Sequence, residues 1–315
     1  MPFHRIPMGI ACTALFLHLA HAGIPTDAVW PRVTLPKTDR LPVLDGVLGE
    51  QEWKSAVRLG GFAVQHSLKL AKHQPAVYLA WHDAGLLVAL DAPLQPGKRA
   101  RASYTVWNGV EWQDDLFSVR LDPGHTHAKS RWFAVNALGA KSGGASDGTT
   151  EIPWQAAATN APGRWCVELL IPWAALGTTK PATGSLAGFS LAVHAGWLGG
   201  ILSWAPSVRG EKTASQYAHL AFGSGEAAVS LSGLSVSRSG DCLASMEASG
   251  KAEAVWTLGR VIADGKTEEL QRATRVLEPG KPVAVNLSVP REQGFPKGGD
   301  YLLRCVAPAR SGPLL

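Results

Sequence analysis

The sequence predicts an all-β protein, an antiparallel β-sandwich followed by a second, smaller β-sandwich. The 315 residues include 34 Gly and 21 Pro, a content typical of chains rich in turns. With 46% hydrophobic and 17% charged residues, the chain has enough apolar material for a core and too little charge for disorder. Short apolar runs alternate with polar residues at the period of a strand, as in Phe117-Ser118-Val119-Arg120-Leu121. Together these observations favour sandwiches over a helical bundle.

Residues 1–22 have the three parts of a secretory signal peptide. His4 and Arg5 form a short basic start, residues 6–19 are apolar, and Ala20-His21-Ala22 supplies the small-residue exit. The apolar run is too short to span about 30 Å of hydrocarbon. We therefore expect cleavage after Ala22, a linker over 23–37, and a secreted or periplasmic protein with no membrane contact after cleavage.

The first sandwich is expected over residues 38–222, where apolar runs rich in β-branched and aromatic residues alternate with turn signals. Helical turns are expected only at 50–57 and at 172–176, where Pro172 suits a first helical turn. The predicted strands are 76–81, 86–90, 116–121, 132–135, 165–171, 189–193 and 217–222.

The composition changes near residue 223, where a Ser- and Gly-rich stretch begins. We assign residues 223–240 to a linker with the first strand of the next domain, and 241–315 to an immunoglobulin-like β domain that could lack a final strand. Cys242 and Cys305 lie in two short apolar runs that could face each other, so an exported chain could join them in a disulfide. Cys166 lies in a predicted strand, and we interpret it as a buried, inert thiol.

Five pieces of the first domain occur in an order typical of one family: DGVLGEQEW (45–53), VYLAWHDAGLLVALDA (77–92), WQDDLFSVRLDP (112–123), WCVELLIPWAALG (165–177) and LAGFSLAVHAG (186–196). In this order they resemble a family 9 carbohydrate-binding module. The resemblance implies an antiparallel β-sandwich that binds sugars, often the chain ends of plant polysaccharides. It also implies attachment to, or association with, glycoside hydrolases.

The resemblance places a sugar-stacking tryptophan at Trp112, and an indole face suits the C–H surface of a pyranose ring. The family's sugar-binding glutamate and arginine are replaced by Ser118 and Ala134, and its second stacking tryptophan is absent after Trp204. Trp197 is the candidate to replace it. The candidate ligand-binding residues are Trp112, Trp107, Glu111, Asp114, Trp197, Arg101 and Asn136, with Arg209 as a further cation that could pair with hydroxyls or a uronic acid.

The sequence alone does not predict a metal site. The family's acidic calcium loop is missing, since residues 122–129 read DPGHTHAK. His125 and His127 form an i, i+2 pair that could chelate an ion, but no third ligand is evident nearby in the sequence. We therefore interpret this segment as a solvated hairpin tip and expect no metal and no cofactor.

Other function classes receive less support from the residues. The 30 basic and 25 acidic residues are not clustered, so neither nucleic acid nor a membrane surface is an expected partner. A G-x-S-x-G match at 144–148 lies in a loop rather than in a strand–turn–helix elbow. The single methionine beyond the leader, Met246, lies outside the matched domain, which excludes a methionine-ligated haem there. Two hypotheses remain: a glycan-binding module without catalysis of its own, and a scaffold domain that has lost sugar affinity.

Overall fold

The computed structural model describes residues 11–18, 32–65, 71–106, 113–149, 152–204, 214, 217–224, 229–237, 239–248, 251–262, 267–279, 281–298 and 300–306. Over these residues the chain is almost entirely β, which confirms the predicted fold class. Within the described residues, the helical elements whose bounds are complete are α1 (Glu50–Trp53) and the 3₁₀ turn Gly196–Leu198. The chain from Pro172 to Leu176 is a turn, closed by the Leu176 N–H donating to the Pro172 carbonyl at 3.2 Å.

The strands fall into two groups along the chain. β1 (Ala11–His18) comes before both groups. Those of the first group are β2 (Arg32–Leu35), β3 (Val57–Leu59), β4 (Ala63–Val64), β5 (Ala76–His82), β6 (Gly85–Pro93), β7 (Leu116–Asp122), β8 (Arg131–Asn136), β9 (Lys141–Ala145), β10 (Gln155–Ala161), β11 (Arg164–Pro172), β12 (Leu186–Ala195), β13 (Gly200–Trp204) and β14 (Ala218–Phe222). Those of the second are β15 (Val229–Val236), β16 (Asp241–Ala248), β17 (Ala252–Val261), β18 (Thr267–Leu277), β19 (Val283–Ser288), β20 (Arg291–Glu292), β21 (Phe295–Pro296) and β22 (Asp300–Val306).

The first sandwich packs two sheets around one large apolar core. One sheet has the order β10-β11-β6-β5-β3, and the other has the order β2-β14-β12-β7-β8-β9, with β13 paired to both β12 and β4. The pairing within both sheets is antiparallel except that β2 runs parallel to β14. Because β2 is part of this sheet, the linker predicted over 23–37 is wrong for Arg32–Leu35.

Strand β7 is buried on both faces, which the alternating pattern did not predict. Phe117, Val119 and Leu121 enter the core as expected. Ser118 and Arg120 lie on the opposite face, which we call the outer face, and are only 0% and 6% exposed. β7 lies between β12 and β8, and the Trp132 ring of β8 lies 5.9 Å from the Arg120 guanidinium carbon. Neighbouring side chains therefore cover the polar positions of this central strand.

A second apolar core lies between the sheets β1-β22-β17-β18 and β15-β16-β19. It contains Trp256, Leu258 and Tyr301. The Tyr301 hydroxyl donates to the Lys297 carbonyl, four residues upstream, at 2.8 Å. That contact resembles a tyrosine corner, while the immunoglobulin-like assignment of this domain stays a prediction.

The disulfide predicted between Cys242 and Cys305 is wrong, because both are buried free thiols. The Cys305 Sγ faces the Met246 Sδ at 3.5 Å instead. Met246 lies four residues along β16 from Cys242, which is about 13 Å at about 3.3 Å per strand residue. A disulfide requires Cα atoms within about 7 Å, so the register of β16 and β22 keeps the two cysteines apart.

Residues 11–18, which the sequence assigns to a signal peptide, form β1 and pair antiparallel with β22. Among the described residues, no helix is long and apolar enough to cross a membrane. Cleavage after Ala22 stays a prediction, and it would remove β1 from the edge of its sheet.

Candidate functional site

Two consecutive aspartates at the start of β7 fix the segment that precedes it. The Asp114 carboxylate is buried and accepts hydrogen bonds from the backbone N–H groups of Ser103 (2.9 Å) and Tyr104 (3.1 Å). It also accepts one from the Asn136 side-chain amide at 2.9 Å. Three donors on one buried carboxylate leave little capacity for a ligand, so Asp114 stabilises the loop.

Asp115 connects this segment to the turn that carries Trp197. Its carboxylate accepts a hydrogen bond from the Arg101 backbone N–H at 2.7 Å and one from the Trp197 indole N–H at 3.1 Å. The Asp115 N–H donates in return to the Arg101 carbonyl at 2.7 Å. Because one carboxylate holds both elements, the position of the Trp197 ring is fixed relative to Arg101.

Trp197 belongs to the 3₁₀ turn between β12 and β13, which ends at Gly199 in the left-handed conformation (φ 91°). Its ring is half-buried and packs against the first core. A half-buried indole that is held by its N–H presents its remaining surface in one orientation, which is what a stacking platform requires.

An open cleft of about 470 Å³ surrounds this ring. Two cations lie in its wall: the Arg99 guanidinium donates to the Asn160 carbonyl and the Arg101 guanidinium donates to the Gln113 carbonyl. Each planar guanidinium carries five N–H donors, so one backbone contact leaves others for a ligand. The cleft is lined by Arg99, Arg101, Gln113, Asp114, Asp115, His194, Ala195, Gly196, Trp197, Gly200 and Ile201.

The structure divides the predicted site residues into three groups. Trp197 and Arg101 lie together in the cleft, and Asp114 lines it with its carboxylate already hydrogen-bonded. Asn136 is wrong as a ligand contact, because it is fully buried and its amide N–H groups donate to the Tyr104 carbonyl and to Asp114. Those that lie outside the described residues are Trp107, Glu111, Trp112 and Arg209.

Sequence reasoning missed Arg99 and Gln113 as cleft residues. Arg99 stands two residues before Arg101, and in extended chain this spacing puts both side chains on one side. The spacing was therefore the available signal for Arg99. No signal was available for Gln113, since its contribution to the wall depends on the fold of the loop.

Cys166 and Cys242 are poor nucleophiles. Burial raises the pKa of the Cys166 thiol to about 11 and that of the Cys242 thiol to about 11. Thiols of this kind are protonated at neutral pH, and the thiolate is the reactive form. These positions therefore offer no cysteine-based catalysis.

A cluster of three histidines lies on the sheet that contains β7, beside the loop that follows this strand. The tip residues His125 and His127 meet His219 of β14, and ligand nitrogens of the three rings lie within 4.8 Å of one another. His125 Nε2 lies 2.7 Å from His219 Nδ1. The sequence pattern identified the first pair but not His219, which is 94 residues from His125 along the chain.

No protein-family model matches the chain, and no curated protein matches it. Among solved structures, a family 9 carbohydrate-binding module from Caldicellulosiruptor kristjanssonii is similar, both in complex with cellotriose (17% identity, TM-score 0.46) and in complex with glucose (16%, 0.46). The similarity covers 61% of this chain and 94% and 96% of those chains, respectively. A putative carbohydrate-binding protein from Bacteroides uniformis is 15% identical over 61% of this chain and 98% of that one, with a TM-score of 0.47.

Proposed function

We propose that this chain is an exported carbohydrate-binding protein without catalytic activity of its own, and that its first sandwich binds a poly- or oligosaccharide in the Trp197 cleft. The observation that carries the proposal is the Asp115 carboxylate, which holds the Trp197 ring and the Arg101 backbone together. A fixed aromatic face beside guanidinium donors suits a sugar, whose C–H face stacks while its hydroxyls accept hydrogen bonds.

The charges in the cleft suggest which glycans to include in a test. Arg99 and Arg101 are cationic, whereas the carboxylates of Asp114 and Asp115 already accept hydrogen bonds from protein donors. Guanidinium groups bind carboxylates in bidentate geometry, so a uronic acid would gain contacts that a neutral sugar lacks. A glycan panel should therefore contain both polygalacturonate fragments and neutral gluco-, xylo- and manno-oligosaccharides.

The experiment is an isothermal titration of the purified protein against this panel, with pull-down on insoluble polysaccharides. We expect Trp197→Ala to weaken binding by about 2- to 12-fold, because a stacked aromatic ring contributes about 0.5–1.5 kcal/mol beyond its area burial and about 1.4 kcal/mol is a tenfold change. Trp197→Phe keeps a ring but loses the N–H donor to Asp115, so its loss should be smaller. Trp132→Ala is the matched control, since Trp132 is equally half-buried and does not line the cleft.

Trp112→Ala belongs in the same series, because Gln113, the next residue along the chain, lines the cleft. Weakening in both tryptophan variants would support two aromatic contacts to one glycan. A wild-type protein that binds nothing in the panel would overturn the proposal and favour the alternative, a scaffold domain that has lost sugar affinity.

A further inference from the structure

Three residues that pair side by side on neighbouring strands allow the three histidines to meet. Asp122 of β7 pairs with Gly188 of β12, and Gly188 pairs in turn with His219 of β14. Residues paired in this way point to the same face of a sheet. Gly188 has no side chain, and a Cβ there would lie 3.3 Å from the Asp122 Cβ. The loop after Asp122 can therefore cross β12 at Gly188 and bring its histidines to His219.

Two histidines of the loop adopt a backbone conformation that is uncommon for non-glycine residues. His125 and His127 have φ values of 50° and 57°, and non-glycine residues adopt such angles in only a few per cent of cases. The Asp122 carboxylate accepts hydrogen bonds from the Thr126 hydroxyl and from the His127 N–H, which fixes this geometry. Backbone strain that is maintained in this way concentrates at functional sites.

The ring geometry suits one shared ion. His125 Nε2 and His219 Nδ1 lie 2.7 Å apart, so one of the two rings donates a hydrogen bond to the other. The Nδ1 of His127 is buried, and no donor or acceptor among the described residues reaches it. The ring planes are inclined to each other by 60° to 82°, so the rings approach a common point from different directions.

We propose that His125, His127 and His219 form a binding site for a divalent transition-metal ion of the Zn²⁺ class. A tetrahedral ion with Zn–N bonds of about 2.0–2.1 Å holds its nitrogens about 3.3 Å apart. The 2.7 Å pair would open by about 0.6 Å and the others would close from at most 4.8 Å, movements that side-chain rotation supplies. Three protein ligands leave a fourth position for water or another ligand.

The donor set distinguishes this ion from Ca²⁺ and Mg²⁺, which take oxygen ligands. The carboxylate among the paired residues, that of Asp122, is occupied by the Thr126 hydroxyl and the His127 N–H. Imidazole nitrogens suit Zn²⁺, Cu²⁺ and Ni²⁺. The ion would join the β7–β8 loop to β14 across 94 residues of chain, so its binding should raise the melting temperature of the first sandwich.

The test is a calorimetric titration of untagged, chelator-treated protein with Zn²⁺, followed by Co²⁺, whose visible bands distinguish four-coordinate from six-coordinate ions. We expect one ion per chain and four-coordinate Co²⁺ bands. His125→Gln, His127→Gln and His219→Gln should each weaken binding at least about 100-fold, since even residues that only hold a metal ligand are worth about 10–100-fold. His73→Gln is the control, because His73 is exposed and lies outside the cluster.

Melting curves recorded without metal show whether each variant is folded. A second measurement avoids variants altogether: substoichiometric Cu²⁺ should broaden the imidazole NMR signals of three histidines in the wild type before the others. Unchanged Zn²⁺ affinity in His219→Gln, uniform broadening of all histidines, or no binding of Zn²⁺ would each overturn the proposal.

Discussion

At the scale of single residues, Glu168 is a buried polar side chain that joins two parts of the first sandwich. It is fully buried on β11 and accepts hydrogen bonds from the Trp53 indole N–H (2.8 Å) and the backbone N–H groups of Asp45 (3.1 Å) and Gly46 (2.9 Å). One carboxylate therefore attaches the segment before α1 to the five-stranded sheet. The sequence showed an acidic residue in an apolar strand but not its partners, which lie more than 100 positions earlier.

We predict that Glu168→Gln lowers the free energy of unfolding by about 1–3 kcal/mol. Glutamine offers one acceptor oxygen, so its NH₂ group would face either the Trp53 N–H or the backbone donors, and a buried donor would be left without an acceptor. Denaturant unfolding measures the change. Glu50→Gln, at an exposed position of α1, should stay within about 0.5 kcal/mol of the wild type.

The pH dependence of stability should show the same residue. Burial raises the pKa of the Glu168 carboxyl above its ordinary value of 4.5, and its hydrogen bonds offset part of this shift. The folded state then binds the proton more tightly than the unfolded state, so this group's contribution is complete below pH 4.5 and is lost as pH rises through the folded pKa. The free energy of unfolding of the wild type minus that of Glu168→Gln should therefore fall as pH increases above 4.5. A difference that does not change with pH would contradict the raised pKa of Glu168.

At the scale of elements, the pairing of β6 with β11 depends on a glycine. A Cβ at Gly85 would lie 2.3 Å from the Ile171 carbonyl oxygen, a backbone atom of β11 that cannot rotate away. Gly85→Ala should therefore force β6 and β11 apart and cost about 1–3 kcal/mol in unfolding free energy. Gly298→Ala is the matched control, since a Cβ there meets nothing within 4 Å. Equal stability of the two variants would show that the close approach of β6 and β11 does not require a glycine at position 85.

The alternating pattern predicted most strands of the first sandwich, because core-facing residues such as Phe117 and Val119 are apolar whichever strands lie beside them. The pattern could not predict which strands become neighbours. The row that joins Asp122, Gly188 and His219 depends on two pairings between distant segments. For this reason the sequence identified two histidines of the cluster and missed the third. The sequence also predicted facing strands for Cys242 and Cys305. In the structure Cys305 faces Met246, four residues beyond Cys242.

At the scale of the whole molecule, burial should protect Cys166, Cys242 and Cys305. Cys166 lies in the first sandwich and Cys242 and Cys305 lie in the core of the second, all as buried free thiols. We predict almost no reaction of the native protein with a thiol reagent. After unfolding without reductant, exported protein should show three reactive thiols, because the predicted cleavage after Ala22 would remove Cys12.

The same count tests two predictions at once. Four thiols after unfolding would mean that the leader, and with it β1, stays on the protein. A single thiol would mean that Cys242 and Cys305 are joined, against the register of β16 and β22. Intact mass of the exported protein distinguishes these outcomes independently.

A glycan that binds the first sandwich should contact Trp197 in the cleft beside Arg99 and Arg101. The test is to record the indole N–H region of a ¹⁵N-edited NMR spectrum during titration with the polygalacturonate fragments and the gluco-, xylo- and manno-oligosaccharides of the panel. The Trp197 signal is assigned by its loss in Trp197→Phe. We predict that it shifts with the glycan that binds, because its N–H donates to Asp115 at the wall of the cleft. Saturable binding that leaves this signal unmoved while other indoles shift would place the glycan elsewhere and contradict the account.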